Sequence, residues 1–520
     1  MSDTTKGKAE AMSTTEPRVT GVEDAAEVGP ANAPDTRADP AAVAALIPQL
    51  RSISGEEHVI TGREQLRTYE SDGLLQYQVS PGAVVLPAST EEVVAIVRAC
   101  FELGVPWVAR GSGSGLSGGA LPIEHGIVIA LTRLRKVLEV DLPNQRVIVE
   151  PGVTNTEVSL AVGPTHFYPP DPSSQIVCSI GGNVAENSGG AHCFKYGFTT
   201  NYVCGLEAVL SDGEVVQIGG KRLDSPGYDL LGALVGSEGT LAVVTKVWLR
   251  VMPVPESIRT LVAFFPGPEA AGEAVSAIVE AGVVPGAIEM MDTLSIQAAE
   301  LMGRAGWPTD GAALVIELDG SETEVDAQFE DLQKFCDDAG ATEIRIARDE
   351  AERTLFWKMR KAAFPAMGRI ARSYYVQDGV IPRTKLPEVL RRISQLSEEY
   401  GMRVANVFHA GDGNLHPLVC YDSDDEAEKA EELSGQILVA CVEAGGSITG
   451  EHGVGIDKKR YMTRMFDEPD LAAFQKLRCA FDPHGLANPG KVMPTPRLCG
   501  EVPGPYKQHP LEREGLAERF

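Results

Sequence analysis

The sequence predicts a protein of the α+β class with two folded domains, each containing both strands and helices. Three observations indicate this fold. The 520 residues exceed what one hydrophobic core usually holds. From about residue 80, strand-like and helix-like segments alternate. After Pro253 the many short strands give way to strands that are each followed by a helix, which indicates a second α+β layer.

The N-terminal part is predicted to contain a disordered extension and a helical lead-in. Residues 1–38 are rich in Ala, Thr, Pro, Asp and Glu, with almost no large apolar side chains. Such a segment cannot bury enough surface to fold, so we expect it to be disordered. Asp39 and Pro40 suit the N-cap and first turn of a helix through AAVAALIPQL. We therefore assign residues 39–79 as a helical lead-in.

The first domain is predicted from a run of short elements over residues 80–252. GAVVLP reads as a strand, TEEVVAIVRACFELG as an amphipathic helix and PWVAR as another strand. The short strands that follow are GIVIAL, VLEVDL, RVIVEP, GLEAVLSDGEVV and GTLAVVTKVWLRVMP.

The second domain is predicted from longer elements over residues 256–430. LVAFFPGPEAAGEAVSAIVEAG is a strand and a helix, GAALVIELDG a strand, and TEVDAQFEDLQKFCDDAG a helix. The acidic residues 422–432 are interpreted as a solvated helix start. The segment EPDLAAFQKLRCAFDP predicts a last helix that stops at Pro483.

Composition excludes several classes of protein. A formal net charge of −27 disfavours binding to nucleic acid or to an anionic membrane surface. Solubility alone explains this charge, and a docking face for a basic partner is the alternative. No run of 18 apolar residues and no secretory signal is present. Nine scattered cysteines without a CxxC pair indicate reduced thiols, so we expect a cytoplasmic protein, or one held at a membrane through a partner.

The glycine-rich residues 110–119 are a candidate anion-binding loop. Gly113, Gly115 and Gly118 match GxGxxG, but a lone match is weak and the Rossmann form needs a following helix. The next residues, ALPIEHGIVIAL, contain Pro122 and a strand-like run that leave no room for one. The remaining interpretation is a cradle of backbone N–H groups for a pyrophosphate, with Arg110 at its entrance. The alternative is a flexible turn.

Two further glycine clusters favour the ligand-binding interpretation. They lie in YPPDPSSQIVCSIGGNVAENSGGAHCFKYG and in GSEGTLAVVT, far from the first loop in sequence. Three glycine-lined segments indicate one extended ligand, and a dinucleotide cofactor has that shape.

The segments HAGDGNLH and GEHGVG are a candidate metal site. His409 and His416 flank a GDGN turn between the strand-like VANVF and LHPLVCY, so a hairpin could bring both imidazoles together. Glu451 and His452 lie side by side in a glycine-flanked loop. Two imidazoles and a carboxylate suit zinc, or manganese or iron. Histidines at a hairpin rim with ordinary hydrogen bonds are one alternative, and a zinc hydrolase that leaves the glycine segments unused is another.

The order of these motifs resembles a known family. PWVARGSGSGLSGGA, PPDPSSQ, IGGNVAENSGG, GSEGTLAVVTKVWLR, HAGDGNLHPL, GEHGVGIDK and NPGKVMP resemble the FAD-linked oxidases of the vanillyl-alcohol-oxidase (PCMH-type) superfamily. WKMRKAAFPAMGRI and YYVQDGVIPR resemble the bacterial glycolate oxidase FAD subunit, with D-lactate and D-2-hydroxyglutarate dehydrogenases as close relatives. The resemblance implies a PCMH-type FAD-binding domain of two α+β subdomains at residues 80–255. It also implies a ferredoxin-like α+β substrate-cap domain at residues 256–494 and leaves residues 495–520 as a tail.

The resemblance also implies which residues contact the cofactor. The glycine loop lacks the histidine that bonds flavin covalently in some members, so non-covalent FAD is expected. The residues implied at the pyrophosphate are Arg110, Gly111, Ser112, Gly113, Ser114, Gly115, Ser117 and Gly118. Those implied near the flavin are Pro170, Asp171, Ser174, Gly181, Gly182, Asn183, Ala185, Asn187 and Ser188, with Asn488 closing over the isoalloxazine. Those implied on the adenosine side are Glu238, Gly239 and Val244.

The resemblance assigns further roles in the second domain. It implies that His409, His416 and Glu451 are metal ligands and that His452 is the base. Arg360 matches the arginine that clamps the substrate carboxylate, whereas Lys358, Lys361 and Arg369 are interpreted as surface residues. Phe364 stands where the hydroxyglutarate enzymes have threonine, and YYVQD supplies no lysine for a second carboxylate. This favours a small monocarboxylate.

These features predict oxidation of glycolate or D-lactate to the 2-oxo acid, with FAD and a divalent metal, zinc first and manganese or iron as alternatives. The other functions considered are a D-2-hydroxyglutarate-type dehydrogenase and an FAD-carrying subunit with little activity alone. The resemblance implies a second flavin-like subunit and an iron–sulfur subunit as partners of such a chain. No cluster-type cysteine spacing occurs, so electrons leave through a partner, a quinone or oxygen. The oligomeric state stays open, a homodimer included.

Overall fold

The computed structural model describes residues 38–222 and 226–494. The predicted N-terminal extension and the tail after residue 494 lie outside this range, apart from Ala38. Ala38 is buried and its N–H donates to the carbonyl of Glu124, so the last residue of the predicted extension packs against the first subdomain. No helix among the described residues is both long and apolar enough to cross a bilayer.

The first subdomain is a four-stranded sheet of order β1-β2-β4-β3, in which β1 is antiparallel and the other strands are parallel. Asp39 caps α1, Ser89 caps α3, and Gly104 ends α3 in the left-handed conformation. Since β1 lies within residues 39–79, the lead-in also supplies an edge strand. The elements are α1 (Pro40–Ser54), β1 (Val59–Ile60), α2 (Arg63–Leu66), β2 (Ala83–Val85), α3 (Thr90–Leu103), β3 (Trp107–Arg110) and β4 (Ile127–Ala130).

The second subdomain is a five-stranded antiparallel sheet of order β5-β6-β10-β8-β9, with a separate pair formed by β7 and β11. Its core includes Val147, Leu206 and Val247. The elements are β5 (Val137–Asp141), β6 (Arg146–Val149), α4 (Asn155–Val162), β7 (His166–Phe167), α5 (Ile180–Glu186), α6 (Cys193–Tyr196), β8 (Val203–Val209), β9 (Val215–Gly219), α7 (Leu230–Leu234), β10 (Val243–Arg250) and β11 (Met252–Pro253).

The cap domain is built around a larger antiparallel sheet. Its first four strands have the order β15-β12-β14-β13, which is the fourth, first, third and second strand in sequence, as a ferredoxin-like fold requires. The elements are β12 (Ser257–Phe265), α8 (Pro268–Glu280), β13 (Ala287–Met291), α9 (Thr293–Gly303), β14 (Ala312–Gly320), α10 (Glu322–Asp338), β15 (Glu343–Ile346), α11 (Glu350–Ala366), β16 (Ser373–Val376), β17 (Gly379–Val380), α12 (Leu386–Tyr400), β18 (Arg403–His409), β19 (Asn414–Leu415), β20 (Pro417–Tyr421), α13 (Ala427–Glu443), α14 (Met462–Met465) and α15 (Glu468–Phe481).

Helices cover both faces of this cap sheet. Leu314 and Ile316 of β14 pack with α8, α10, α12 and α13, whereas Val315 of the same strand packs with α9 and α11. Successive side chains of a strand point to opposite faces, so a strand buried on both faces must be apolar throughout. This explains the nearly continuous apolar run in GAALVIELDG.

The predicted α+β class is confirmed, and so is the exclusion of a Rossmann unit. Residues 120–126 form turns and irregular structure, and β4 follows at Ile127 without an intervening helix. The glycine loop therefore joins two strands.

A polar junction joins the FAD-binding domain to the cap. The imidazole of His192 lies between Asp171 of its own domain, at 2.9 Å, and the cap residue Glu317, at 3.2 Å. Arg353 also pairs with Glu317, at 2.8 Å. Burial disfavours a protonated His192, but the two carboxylates outweigh burial and raise its pKa to about 10. A charged His192 therefore links the two domains at neutral pH.

Candidate active site

The glycine-rich loop after β3 forms one wall of a cavity of about 500 Å³ between the two domains. At Gly111 a Cβ atom would lie 2.1 Å from the Ser179 hydroxyl. At Gly113, whose φ is +70°, a Cβ atom would lie 2.2 Å from the Arg110 guanidinium. Side chains are therefore excluded at both positions, which leaves bare backbone facing a ligand.

The three glycine segments meet around this one cavity, as their distribution in the sequence predicts. The residues implied for FAD contact that line it are Gly111, Ser112, Gly113, Ser114, Gly115, Ser174, Gly181, Gly182, Asn183, Ala185, Ser188, Glu238, Gly239 and Val244. A glycine-walled cavity that runs from β3 to the cap fits an elongated dinucleotide.

Several implied cofactor residues lie behind the wall and hold the glycine loop. Arg110 donates to the carbonyls of Ser71 and Ala120, so its guanidinium braces the loop from within the protein. The carbonyl of Ser117 accepts from two backbone N–H groups of the cap, and Gly118 packs against Ile456 there. These contacts fix the loop against the cap domain.

The other implied residues away from the cavity wall also have protein partners. The Pro170 carbonyl accepts from the Asn155 side chain, and Asp171 binds His192 at the domain junction. Asn187 accepts from the Thr200 N–H. The amide of Asn488 donates to the carbonyls of Gly119 and Glu238, so it ties the C-terminal NPGK segment to two glycine segments. Their contact with FAD stays a prediction.

The two metal-site histidines are brought together by antiparallel strand pairing. His409 ends β18, His416 precedes β20, and β18 pairs with both β19 and β20. The two ring centroids lie 5.0 Å apart and both side chains are buried. Nε2 of His409 is 3.1 Å, and Nε2 of His416 is 3.3 Å, from the same Glu451 carboxylate oxygen. The three predicted ligand groups therefore converge.

The two imidazoles and the carboxylate of this cluster are donor groups that suit a divalent cation. Nδ1 of His409 is held by the buried Glu289 carboxylate at 2.7 Å, which leaves Nε2 directed to the cluster. Neither ring nitrogen of His416 has a well-aligned hydrogen bond within the described residues. Burial opposes ionisation of Glu451, but His409 and His416 outweigh it and hold the pKa of Glu451 well below its usual range. An ionised carboxylate beside a buried, unsatisfied imidazole fits a metal ion.

His452 lies on the wall of the glycine-lined cavity, next to this cluster. Its ring stacks on that of His416, with centroids 4.8 Å apart and planes at 17°. Burial lowers the pKa of His452 to about 4. The imidazole is therefore neutral at pH 7, which is the protonation state that a general base requires.

Asp378 positions the loop that carries Glu451 and His452, and sequence reasoning missed it. Its buried carboxylate accepts from the backbone N–H groups of residues 450, 451 and 452 and pairs with the buried Lys458 at 3.2 Å. Burial opposes ionisation, but Lys458 and the imidazoles of His452 and His416 hold the pKa of Asp378 well below its usual range. The available signal was an aspartate two residues after the end of the strand β16 and directly before a glycine.

Glu238 holds the other end of the same loop. It was implied to lie on the adenosine side of FAD, and it does line the cavity. Its carboxyl oxygens also accept from the N–H groups of Val454 and Gly455, at 2.6 and 2.7 Å. The loop of residues 449–455 is thus fixed by Asp378 from the cap and Glu238 from the FAD-binding domain.

Arg360 of α11 lies behind the cavity wall, which Lys361 and Phe364 of the same helix help to form. Its Nη2 is 2.6 Å from the Glu289 carboxylate, and both side chains are buried. Nε and Nη2 have no well-aligned acceptor among the residues of the described chain. Glu289, also missed from the sequence, therefore connects Arg360 to His409.

Replacing Asp378 with Asn is expected to lower the rate of flavin reduction by about 10–100-fold, as loss of a supporting partner of a metal or catalytic group does. The amide keeps the shape but removes the charge opposite Lys458. The rate should be measured by stopped-flow absorbance, with Asp337→Asn, an exposed carboxylate of α10, as the control. An unchanged rate in a folded, flavin-loaded Asp378→Asn protein would contradict this positioning role.

Comparison with known proteins agrees with the two domains. The model of the FAD binding domain matches residues 81–219, and that of the C-terminal domain of FAD linked oxidases matches residues 254–492. The chain is 49% identical over 450 residues to the glycolate oxidase subunit GlcD of Escherichia coli K12, covering 86% of this chain and 90% of that protein. It is 35% identical over 417 residues to a D-lactate dehydrogenase of Archaeoglobus fulgidus, covering 79% and 91%.

Solved structures show the same fold at low sequence identity. The 4-ethylphenol oxidase of Gulosibacter chungangensis superposes with a TM-score of 0.74 at 20% identity, covering 88% of this chain and 98% of that one. p-Cresol methylhydroxylase gives a TM-score of 0.73 at 16% identity, covering 88% and 97%. With both domain models matched and long relatives well above 30% identity, this chain belongs to the FAD-linked oxidases and has FAD as its cofactor.

Proposed function

We propose that this protein oxidises glycolate or D-lactate to the corresponding 2-oxo acid, with a divalent metal in addition to FAD. The observation that carries the proposal is the position of His452. Its neutral imidazole faces the glycine-walled flavin cavity and stacks on a member of the cation-binding cluster. The relatives named as glycolate oxidase subunits and D-lactate dehydrogenases support this substrate class.

Different residues of the chain would have separate roles in alcohol oxidation. His452 accepts the hydroxyl proton, and its loop is held by Asp378 so that the imidazole keeps its place. Arg360, whose Nη2 pairs with Glu289 and whose Nε has no well-aligned acceptor among the described residues, would bind the substrate carboxylate. FAD held in the glycine-walled cavity would supply the hydride acceptor for the carbon that bears the hydroxyl. A divalent ion at His409, His416 and Glu451, with zinc first and manganese or iron as alternatives, would lower the hydroxyl pKa and orient the substrate.

Phe364 favours a small substrate. Its ring lies on the cavity wall and contacts His416 edge-on, with centroids 5.8 Å apart. An apolar ring offers no partner for a second carboxylate, whose burial without one is unfavourable. This supports glycolate or D-lactate over D-2-hydroxyglutarate.

A second candidate function is that of an FAD-carrying subunit with little activity alone. The relatives from Escherichia coli and Bacillus subtilis are both named as subunits of glycolate oxidase. Electrons from the reduced flavin would then pass to a partner, such as an iron–sulfur or second flavin-like subunit, or to a quinone.

A stopped-flow screen of flavin bleaching tests the proposal. The purified protein is mixed anaerobically with glycolate, D-lactate, L-lactate and D-2-hydroxyglutarate. We expect glycolate or D-lactate to bleach the flavin fastest, and fastest bleaching by D-2-hydroxyglutarate would contradict the assignment. Turnover with an artificial dye then distinguishes the two candidate functions. The flavin of a dependent subunit would be bleached once, but that subunit would turn over slowly.

A further inference from the structure

A second cavity, of about 750 Å³, lies beside the flavin cavity at the domain boundary. We call it the outer cavity. On one side it is lined by Phe167 and Tyr168 and by Val254 of the interdomain connection, and on the other by Trp357 and Lys358 of α11. Neither the family assignment nor the proposed chemistry uses it.

The outer cavity adjoins the flavin cavity. Asp171 and Gln175 line the outer cavity, whereas Pro172 and Ser174 of the same segment line the flavin cavity. One stretch of chain therefore forms the partition. On the opposite side Lys361 lines both cavities, so its side chain lies between the two spaces.

Two lysines give the outer cavity positive charge that no neighbour compensates. Its other charged groups are paired. His192 pairs with Asp171 and Glu317, Arg353 with Glu317, and Asp319 with Lys195. Lys358 and Lys361 are exposed and have no ion-pair partner among the described residues. The protein as a whole carries −27, which repels small anions. A local cationic surface at the outer cavity attracts anions in spite of the negative net charge of the whole protein.

We propose that the outer cavity is the entrance for the anionic substrate, and that Lys358 and Lys361 attract its carboxylate toward the flavin cavity. Lys361 lines both cavities, so a carboxylate that it attracts from the outer cavity lies at the edge of the flavin cavity. This inference rests on the proposed oxidation of a 2-hydroxy acid and names the route and the residues by which that acid enters. It replaces the interpretation of both lysines as plain surface residues.

The test is the double variant Lys358→Gln/Lys361→Gln in the flavin-loaded protein. The rate of flavin reduction is measured against glycolate or D-lactate concentration at low and high ionic strength. We expect the apparent substrate dissociation constant to rise about 10-fold at low salt, which is the lower end of the range of electrostatic focusing effects. The difference should vanish near 0.5 M salt, because screening then shortens the reach of charges to about 4 Å. The limiting rate should change little, because His452 is untouched.

Lys334→Gln is the matched control, since Lys334 is exposed on α10 and lines neither cavity. An additional variant, Ala362→Trp, fills the outer cavity without altering charge and should slow substrate binding while the flavin spectrum is retained. An unchanged dissociation constant in the lysine variant, or a loss independent of salt, would overturn the inference. An effect confined to the reoxidation of the flavin by the electron acceptor would also overturn it. If no 2-hydroxy acid bleaches the flavin of the unmodified protein, the proposed function itself fails.

Discussion

Replacing His452 with Asn is expected to slow flavin reduction by about 10²–10⁴-fold, the usual effect of removing a general base. The imidazole is neutral at pH 7 because burial lowers its pKa, and asparagine cannot take up a proton in its place. The flavin should stay bound, because His452 belongs to none of the three glycine segments. The measurement is the single-turnover bleaching rate at saturating glycolate or D-lactate, with flavin content determined from the absorbance spectrum.

His125→Asn provides a matched control for this variant. His125 is exposed and lies outside the flavin cavity, and asparagine tolerates its φ of +61° well. We expect this control to retain the full bleaching rate. Near-normal bleaching by the His452→Asn protein would remove His452 from the role of base and direct attention to another proton acceptor.

Removing the proposed metal is expected to lower the rate of flavin reduction by about 10²-fold or more, because polarising the hydroxyl contributes several kcal/mol. With FAD in excess the flavin spectrum should persist, since chelation leaves the three glycine segments of the cavity wall unchanged. Elemental analysis of the purified protein should find about one divalent ion per chain before exhaustive chelation. Restoring activity with zinc, manganese or iron separately would identify the ion.

The variant Glu451→Gln tests the same site without a chelator. It keeps the side-chain size but removes the charge between the two imidazoles, so we expect loss of the ion and of activity. Glu330→Gln, an exposed carboxylate on α10, is the control. If exhaustive chelation and Glu451→Gln both left flavin reduction unchanged, the metal assignment would be wrong.

Local chain geometry made part of this site predictable. The glycines were informative because positions 111 and 113 have no space for a side chain. A requirement for glycine can be seen in the sequence itself. The approach of His409 to His416 was likewise predictable, since a polar turn between two strand-like segments predicts a hairpin. Both predictions concern residues close together in the chain.

Contacts between distant segments could not be predicted in this way. Glu289 meets His409 because β13 pairs with β18 in a register that places the two residues opposite each other. Nothing in the apolar segment AIEMM indicates that partner. Asp378 likewise acquires its role from N–H groups more than 70 residues later. The strand β1 escaped prediction because two residues are too short to show alternation.

The contacts of Glu238 couple the binding of FAD to the binding of the proposed metal. Its carboxyl group both lines the flavin cavity and holds the backbone of the segment that carries Glu451 and His452. Binding of FAD beside Glu238 would restrain this side chain and, through its two hydrogen bonds, part of the proposed metal site. Linkage requires the reverse as well, by the same factor in affinity. FAD and the metal are thus expected to load cooperatively, so that partly loaded chains are less abundant than two independent sites would give.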